Sequence, residues 1–451
     1  MTTVSKRQRV FARWVELLRQ RFPTFSKPEA KGLALWSIGI VLAKSSSLHA
    51  VALALAVWLA LNPLSLLKRL QEWYLEAKAK KGHGSGSAGQ HRCDWDARAL
   101  SPYLLRWILE DWPNRQLVLA LDPTNFGDRF TVLAISVLYR GCAVPVAWTV
   151  VEGGKPEAWE PHWERMLRQL APFVPPGWQV LVLTDRGMYS PSLFRCLVLL
   201  NWHPFLRIRA QGFYRPKGKR NWLQLGNLQL AVGEATAFEV EIFKNDAGRL
   251  NCTLACYQGE GHEEPWLIVT DLEPKVARAV WYGLRGWIEQ GFKRVKGEGW
   301  NLPRTRINSC ERLERLWLAV AVATLWVLEV GGEAEVQEEG KKKEKKIGED
   351  APALPDLEQA KVASASEEKP SKAKGGRTWS VFAWGWQVLR DALAVGLLLL
   401  GSWHPEPWPD HPAQGLPPTP AACAAAASAD NGSARSPPGG SIPVIHDCDS
   451  G

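Results

Sequence analysis

The 451-residue sequence has few features of a zinc protein or of a small protein held together by disulfides. Its eight cysteines are scattered, and only Cys252 and Cys256 lie close together, with no second pair nearby. Such spacing gives little support to a zinc site or a disulfide framework. The cysteine usage fits a reducing cytoplasm.

The sequence also lacks an export signal and an apolar run of membrane-spanning length. It begins Met-Thr-Thr-Val-Ser-Lys-Arg-Gln-Arg, with no apolar stretch directly after it, so we predict no signal peptide. The apolar runs 49–60 and 392–400 are shorter than the ~20 residues that a membrane helix needs. We interpret both runs as buried helices and expect no membrane partner.

Positive charge is present, and it is unevenly distributed. The chain carries a net charge of +9, and residues 1–81 hold 14 Lys and Arg against 4 Asp and Glu. This balance favours a polyanionic partner. Because residues 33–61 are strongly apolar, we expect a folded basic module rather than a solubilising tail.

The hydrophobic pattern predicts an α/β fold with a mixed sheet and helices packed on it. Residues 116–122, 130–139, 142–151 and 180–185 read as strands, in a meander that leads into alternating helices and strands. The predicted units are a helical domain at 1–80, a core at 90–209 and 273–330, a β-rich insertion at 210–272, a disordered linker at 331–377, a C-terminal helix at 378–403 and a disordered tail at 404–451.

Two of the predicted strands end in a carboxylate, Asp122 and Asp185. A carboxylate at the carboxyl end of a buried strand projects into the crevice where open α/β sheets bind ligands. A single aspartate in this position often caps a turn. A pair on neighbouring strands indicates a site for a hard divalent cation, which prefers oxygen ligands.

A second pattern lies in the predicted helix that starts near residue 275. Tyr282, Arg285, Glu289 and Lys296 follow one another at steps of three, four and seven residues. At ~100° per residue these side chains fall on one helix face. The structural alternative is a solvated face in which Arg285 and Glu289 form an ion pair across one turn.

The spacing resembles the Tyr-x2-Arg-x3-Glu-x6-Lys signature of DDE transposases of the insertion sequence 4 type. The segments Leu-Asp122-Pro-Thr and Leu-Thr-Asp185-Arg-Gly-Met-Tyr resemble that family's two aspartate motifs. The order Asp, Asp, β-rich insertion and helical Glu is also similar. The resemblance covers residues 90–330.

This resemblance implies a ribonuclease H-like core, with residues 1–80 as a helical DNA-binding domain. It implies that Asp122, Asp185 and Glu289 are catalytic and bind two Mg²⁺ ions, with Mn²⁺ as a substitute. Tyr282, Arg285 and Lys296 would contact phosphates beside the scissile bond. The implied partners are double-stranded DNA, as transposon inverted repeats and target, and a second copy of the chain. The implied location is the bacterial cytoplasm, on nucleoid DNA.

A basic segment with interleaved aromatic residues follows the predicted core strands. Such a composition suits contacts with a nucleic-acid backbone and its bases, and the alternative is a solvated hairpin tip. Trp266 and Trp287 are candidates for base stacking or for core packing. The basic candidates for DNA binding are Arg207, Arg209, Arg215, Lys217, Lys219 and Arg220.

Three other functions remain open at this point. A nuclease of the same fold would cleave DNA without joining it, and a catalytically inactive relative would only bind DNA. A glycoside hydrolase also uses paired carboxylates, but the aligned Arg285 and Lys296 and the basic N-terminus fit it poorly.

Overall fold

The structure is a computed structural model that describes residues 3–76, 94–154, 158–349 and 379–409. Ten α-helices and ten strands make up its regular elements in these ranges. The helices are α1 Thr3–Arg21, α2 Lys27–Ala43, α3 Leu48–Leu59, α4 Pro63–Tyr74, α5 Ala97–Glu110, α6 Glu160–Leu170, α7 Pro191–Leu199, α8 Gly286–Lys293, α9 Cys310–Glu349 and α10 Val381–Val395. The strands are β1 Gln116–Phe126, β2 Phe130–Tyr139, β3 Cys142–Glu152, β4 Gln179–Thr184, β5 His203–Arg207, β6 Phe213–Pro216, β7 Leu223–Gln224, β8 Ala235–Ile242, β9 Leu250–Tyr257 and β10 Trp266–Thr270.

All ten strands belong to one mixed sheet. Its order is β3-β2-β1-β4-β5-β10-β9-β8-β6-β7. The first three strands form an antiparallel meander, whereas β4 runs parallel to β1 and β5 runs parallel to β4. The β-rich region predicted at 210–272 extends this sheet, because β10 pairs with β5 and joins the later strands to the earlier ones.

The centre of the sheet is covered on both faces. Every residue of β2 is buried, which explains its unbroken apolar sequence, since a strand covered on both faces does not alternate. Residues 313–332 of α9 are likewise buried all round. The helix therefore runs through the interior, where α2, α5 and α10 pack on it.

The N-terminal helices share this hydrophobic core. Trp14 stacks on Trp326 of α9 at a centroid distance of 4.0 Å, and most of α2 is buried. The cations of α1 lie outside, where Lys6, Arg9 and Arg13 are exposed on one face. No single described helix is long and apolar enough to cross a membrane, while α2 and α3 together reach that composition but bend by 92° between them.

The prediction of a disordered linker from residue 331 is wrong for its first part. The structure continues α9 through Gly331 and Gly332 to Glu349. These glycines resemble a helix stop in the sequence, but here they allow close packing. A Cβ on Gly331 would lie 2.2 Å from the carbonyl oxygen of Val381 in α10, and one on Gly332 would lie 1.8 Å from the Tyr139 hydroxyl. The rest of the linker, 350–377, lies outside the described residues.

The C-terminal prediction is met in part. Of the helix predicted at 378–403, only Val381–Val395 is helical, as α10, which packs on α9, α1 and α2 of the same chain. Residues 404–409, predicted to be disordered, lie against the core, with Trp408 only 6% exposed. The remainder of the predicted tail is outside the described ranges.

Glu329 is an unusual core residue because it is a carboxylic acid that is only 3% exposed. One of its oxygens has no hydrogen-bond partner, and burial raises the pKa of this group to about 8. The nearby Arg21 opposes this increase. The side chain therefore holds its proton in the folded state at a pH where the unfolded chain would release it.

We predict that Glu329→Gln stabilises the protein, and more so at higher pH. The pKa of Glu329 in the folded protein lies above its value in the unfolded chain. The free energy of unfolding of the wild-type protein therefore falls as pH rises from about 4.5 to about 8. Glutamine has no proton to lose and escapes this penalty. Thermal unfolding should give a higher Tm for the variant at pH 8 and a smaller difference at pH 5. A difference that grows toward acid pH would contradict this account.

Candidate active site

Asp122 lies within β1, and not at its end as the sequence suggested. The strand continues to Phe126 because the β1–β2 hairpin extends beyond the β4 pairing. Parallel pairing with β4 stops at Leu121 and Thr184, one residue before Asp122. The aspartate therefore sits where the two parallel strands separate.

Asp185 directly follows β4 at the same edge of the sheet. Its carboxylate accepts a hydrogen bond from the backbone N–H of Arg186 at 2.8 Å. Asp122 is largely shielded, with a side-chain exposure of 14%, whereas Asp185 is 39% exposed. The other acids near these strands, Asp128 and Glu152, are exposed and lie outside this cluster.

The segment that carries the signature is not one regular α-helix. Residues Ala279–Arg285 form a 3₁₀ helix, α8 follows, and Arg294–Glu298 form a π-helical turn. The prediction that four side chains share one α-helical face is therefore wrong in its geometry. The tighter and wider turns change the angle between residues. Tyr282, Arg285 and Glu289 nevertheless lie beside the two aspartates.

Arg285 is the centre of this arrangement. Its Nη2 lies 2.9 Å from Oδ1 of Asp122 and 3.8 Å from Oδ2 of Asp185, and its Nη1 lies 2.9 Å from Oε1 of Glu289. The Tyr282 hydroxyl donates to Oδ1 of Asp185 at 3.4 Å. A single guanidinium, itself 12% exposed, thus contacts all three predicted catalytic carboxylates.

Burial and charge act in opposite directions on these groups. Burial raises the pKa of Asp122 to about 6, although the neighbouring Arg285 lowers it. Burial lowers the pKa of Arg285, but Asp122 and the other nearby groups more than offset this, so the net shift is upward. Burial also raises the pKa of Tyr282, so its hydroxyl keeps its proton and remains a donor.

The donor set has the right chemistry for a divalent cation, but its present arrangement does not form a metal cage. Three carboxylates are the hard oxygen ligands that such ions prefer. Among the described residues, however, no three His, Cys, Asp or Glu side chains are grouped to hold a metal ion. The guanidinium of Arg285 contacts all three acids and supplies the positive charge between them.

Lys296, the last signature residue, contacts the cluster less directly. Its ammonium lies 5.7 Å from the centre of the Phe126 ring. Burial lowers its pKa, and Asp122 partly opposes that change. Lys296 is therefore near Asp122. In the sequence it is the last signature residue, and Tyr282 is the first.

An open cavity of about 440 Å³ adjoins the acid cluster. Trp266 packs edge-on against Tyr282 at 5.1 Å, and Arg207 lies over the Tyr282 ring at 5.8 Å. Trp287 is placed elsewhere, beside Trp408 and away from the carboxylates. The residues that line the cavity are Asp185, Arg186, Arg207, His262, Glu263, Glu264, Trp266, Arg285 and Glu289.

Several of these lining residues were not found from the sequence. His262, Glu263 and Glu264 belong to the β9–β10 loop, and Glu264 pairs with Arg186 at 3.0 Å. The loop reaches the site because β10 lies beside β5 in the sheet. No local spacing in the sequence signals this contact, which depends on a strand pairing between distant segments.

The predicted basic segment separates into different environments. Arg207 lines the cavity and Arg209 is exposed nearby. Arg215 and Lys217 form ion pairs with Glu241 and Glu239 of β8. Lys219 and Arg220 are exposed at the β6–β7 turn. Since β6 is four strands from β5, this turn is roughly 20 Å from the cavity.

Comparison with known proteins finds a family model and distant solved structures. Residues 127–326 match the family model described as Transposase DDE domain. This segment includes Asp185 and the whole signature, while Asp122 precedes it. The match covers less than half of the chain. No curated protein matches the chain.

Among solved structures, one match is the cryo-EM structure of a piggyBac transposase synaptic complex with hairpin DNA. The TM-score is 0.37 and the sequence identity is 12%. The match covers 67% of this chain. The chain spans 66% of that chain's length, just under two thirds.

We predict that Arg285→Gln destabilises the protein in the absence of metal. The change leaves Asp122 buried beside two other carboxylates without their shared cation, at a cost of about 3 kcal/mol. The loss should be smaller at pH 5, where Asp122 takes up a proton. Urea unfolding in EDTA, followed by tryptophan fluorescence, measures both values.

Arg186→Gln is the matched control for this change. Its ion pair with Glu264 is about half exposed on both sides, so its loss should cost no more than about 1 kcal/mol. Equal losses for the two variants would show that Arg285 does not stabilise the carboxylates.

Proposed function

We propose that this chain is a DNA transposase that binds the ends of an insertion sequence, cleaves them and joins them to target DNA. The observation that carries the proposal is the convergence of five side chains at one edge of the sheet. They are the two aspartates, Asp122 and Asp185, and three signature residues, Tyr282, Arg285 and Glu289. Four of the five lie within the segment that matches the Transposase DDE domain. Chance helical spacing does not account for the contacts of Tyr282 and Arg285 with the two aspartates.

The sheet supports a ribonuclease H-like core as the finer description of the fold. An antiparallel meander of three strands is followed by β4 and β5 in the order β3-β2-β1-β4-β5. In this interpretation β6 to β10 are the insertion, and the described helices of residues 3–76 are the DNA-binding unit. The acids lie at the carboxyl end of β4, where open sheets of this kind place their ligands.

Asp122, Asp185 and Glu289 are the residues that would hold the catalytic cations, with Mg²⁺ as the natural ion and Mn²⁺ as a substitute. Bound there, the metal supplies Lewis acidity at phosphorus and lowers the pKa of the attacking water or hydroxyl. Holding it requires that Arg285 leave the carboxylates, because the guanidinium contacts all three.

The same movement gives Arg285 its second role. A guanidinium released from Asp122 presents two parallel N–H donors to a phosphate, which is the geometry that arginine offers and lysine does not. Tyr282 contributes a protonated hydroxyl, and Lys296 a point charge. These three residues would hold the scissile phosphodiester while an oxygen nucleophile attacks phosphorus and the bond to the leaving oxygen breaks.

Exposed cations at a distance from the acid cluster would bind DNA on either side of the scissile phosphodiester. The exposed cations of α1 lie in a row, and Lys219 and Arg220 lie at the far end of the sheet. The outer face of α3 is different, because Leu53 and Val57 are 59% and 80% exposed. Contacts of the N-terminal unit with DNA would therefore come from its exposed cations, those of α1 among them, and would be made to phosphates.

A synaptic assembly also follows from this function. Two transposon ends must be held together for joining, so we propose a homodimer on DNA. The described contacts of α10 lie inside its own chain, with α9, α1 and α2. They support α10 as a packing element of the monomer.

The central test is cleavage of DNA that carries the element's terminal inverted repeats, with Mg²⁺. We expect wild-type protein to cut and join these ends. Asp122→Asn, Asp185→Asn and Glu289→Gln should each lower the cleavage rate by about a thousandfold or more, with end binding retained. Glu264→Gln is the matched control, since it removes a cavity carboxylate outside the triad and should cleave normally.

The products separate the alternatives. Hydrolysed ends without joined products would indicate a nuclease of the same fold. Binding without cleavage of any cognate end would indicate a DNA-binding protein that has lost catalysis. Cleavage that survives loss of Asp122 would disprove the proposed triad.

We predict that exposed and ion-paired cations contribute differently to DNA affinity. Lys219→Gln with Arg220→Gln should reduce the slope of log K against log salt by about 2, because each phosphate contact contributes about 0.9. Arg215→Gln with Lys217→Gln should change it by less than about 1, since Glu241 and Glu239 already neutralise these charges. Fluorescence anisotropy on one duplex, over a salt series, measures both. A larger change for the ion-paired residues would refute the distinction.

A further inference from the structure

The segment after α10 runs along the surface of the domain, inserts Trp403 and Trp408 into the core, and ends behind the signature residues. We call residues 398–409 the C-terminal strap. Trp326 of α9 donates to the carbonyl of Leu399 at 2.8 Å, and the Trp403 ring, 1% exposed, lies edge-on to Tyr139 at 4.8 Å. Arg140 donates to the carbonyl of His404 at 3.0 Å. The strap is therefore fixed along its length.

Its last residues contact the 3₁₀ helix Ala279–Arg285. The indole N–H of Trp281 donates to the carbonyl of Pro409 at 2.6 Å, across 128 positions of sequence. The rings of Trp281 and Trp408 meet edge-on at 5.3 Å. Trp281 is fully buried, and its other neighbour is Phe205 of β5 at 6.1 Å.

Residues on opposite sides of this 3₁₀ helix have different partners. Tyr282 and Arg285 contact Asp185 and Asp122, whereas Trp281 contacts the strap. Leu284 and Trp287 line a small cavity together with Pro405, Glu406 and Trp408. The strap thus supports the segment from behind while its front faces the carboxylates.

The geometry of the segment makes this support important. A 3₁₀ run of seven residues is long for a helix type with poor hydrogen-bond geometry. Its position depends on tertiary contacts more than on its own backbone bonds. Small displacements of groups that hold a reacting phosphate reduce rates strongly.

We propose that the strap, through Trp408 and the Pro409 carbonyl, positions Tyr282 and Arg285 for the reaction. The proposal rests on the proposed function, because it assigns these two side chains to phosphate binding. Trp281 and Trp408 are positioning residues and do not touch the substrate. The C-terminal strap is thereby a part of the active site's support, although it lies more than a hundred residues beyond the signature.

The test uses full-length variants. Trp281→Phe keeps an aromatic ring and removes the donor to Pro409, whereas Trp408→Ala removes the ring contact. Trp408→Phe is the conservative rescue. Trp379→Ala, an exposed tryptophan before α10, is the matched substitution control. Leu167→Ala, in the buried face of α6, controls for general loss of stability.

Two readouts are combined. In hydrogen exchange, Trp408→Ala and Trp281→Phe should speed exchange of peptides covering 279–289 while leaving those of β1 and β4 protected. In single-turnover cleavage, Trp408→Ala should slow the rate by about tenfold or more, and Trp281→Phe by about threefold to tenfold. The Kd for the DNA end should stay within a factor of about two, and Trp408→Phe should recover most of the rate.

The outcomes decide the proposal separately from the proposed function. Unchanged exchange at 279–289 overturns it, as does faster exchange with an unchanged cleavage rate. An equal effect of Leu167→Ala on both readouts also overturns it, since that would show a purely global effect. If wild-type protein cleaves no DNA end, the proposed function fails, and the exchange readout alone decides whether the strap fixes the signature segment.

Discussion

The structure around the candidate site depends on one electrostatic constraint, the need to neutralise three carboxylates at one edge of the sheet. Asp122 is too buried to remain ionised without a cation nearby, and burial raises its pKa to about 6 even beside Arg285. The guanidinium meets this need because its planar fork reaches more than one carboxylate at once. Lysine would offer a single point charge and could not replace these contacts.

The surrounding elements hold the two sides of this cluster in place. The parallel pairing of β1 with β4 fixes the aspartates, since both chains leave the pairing at the same level. The 3₁₀ helix brings Arg285 toward them, and the strap packs against its back. The β9–β10 loop reaches the open side of the cavity. The positions of the signature side chains therefore depend on a sheet and a terminal segment that are remote from them in sequence.

The sequence predicted the composition of the candidate site better than its geometry. The two aspartates could be found because each follows an apolar strand, and Arg285 and Glu289 because of their spacing. Regular spacing assumes about 100° per residue, so it could not predict the 3₁₀ and π-helical turns. Gly331 and Gly332 give no local signal that α9 continues, because the close packing that they allow is a tertiary contact. The strap was missed because its contacts lie 128 positions away from Trp281.

Arg285 cannot neutralise the carboxylates and bind a phosphate at the same time. A cation that took its place among Asp122, Asp185 and Glu289 would free the guanidinium, and a phosphate would then stabilise it in its new position. Each ligand thus removes the cost that the other would face alone. Because coupling between two binding equilibria is reciprocal, a transposase built in this way would bind metal more tightly on DNA and DNA ends more tightly with metal. In such a transposase, the arginine that stabilises the site without ligands would make cleavage depend on the presence of both the metal ion and the DNA.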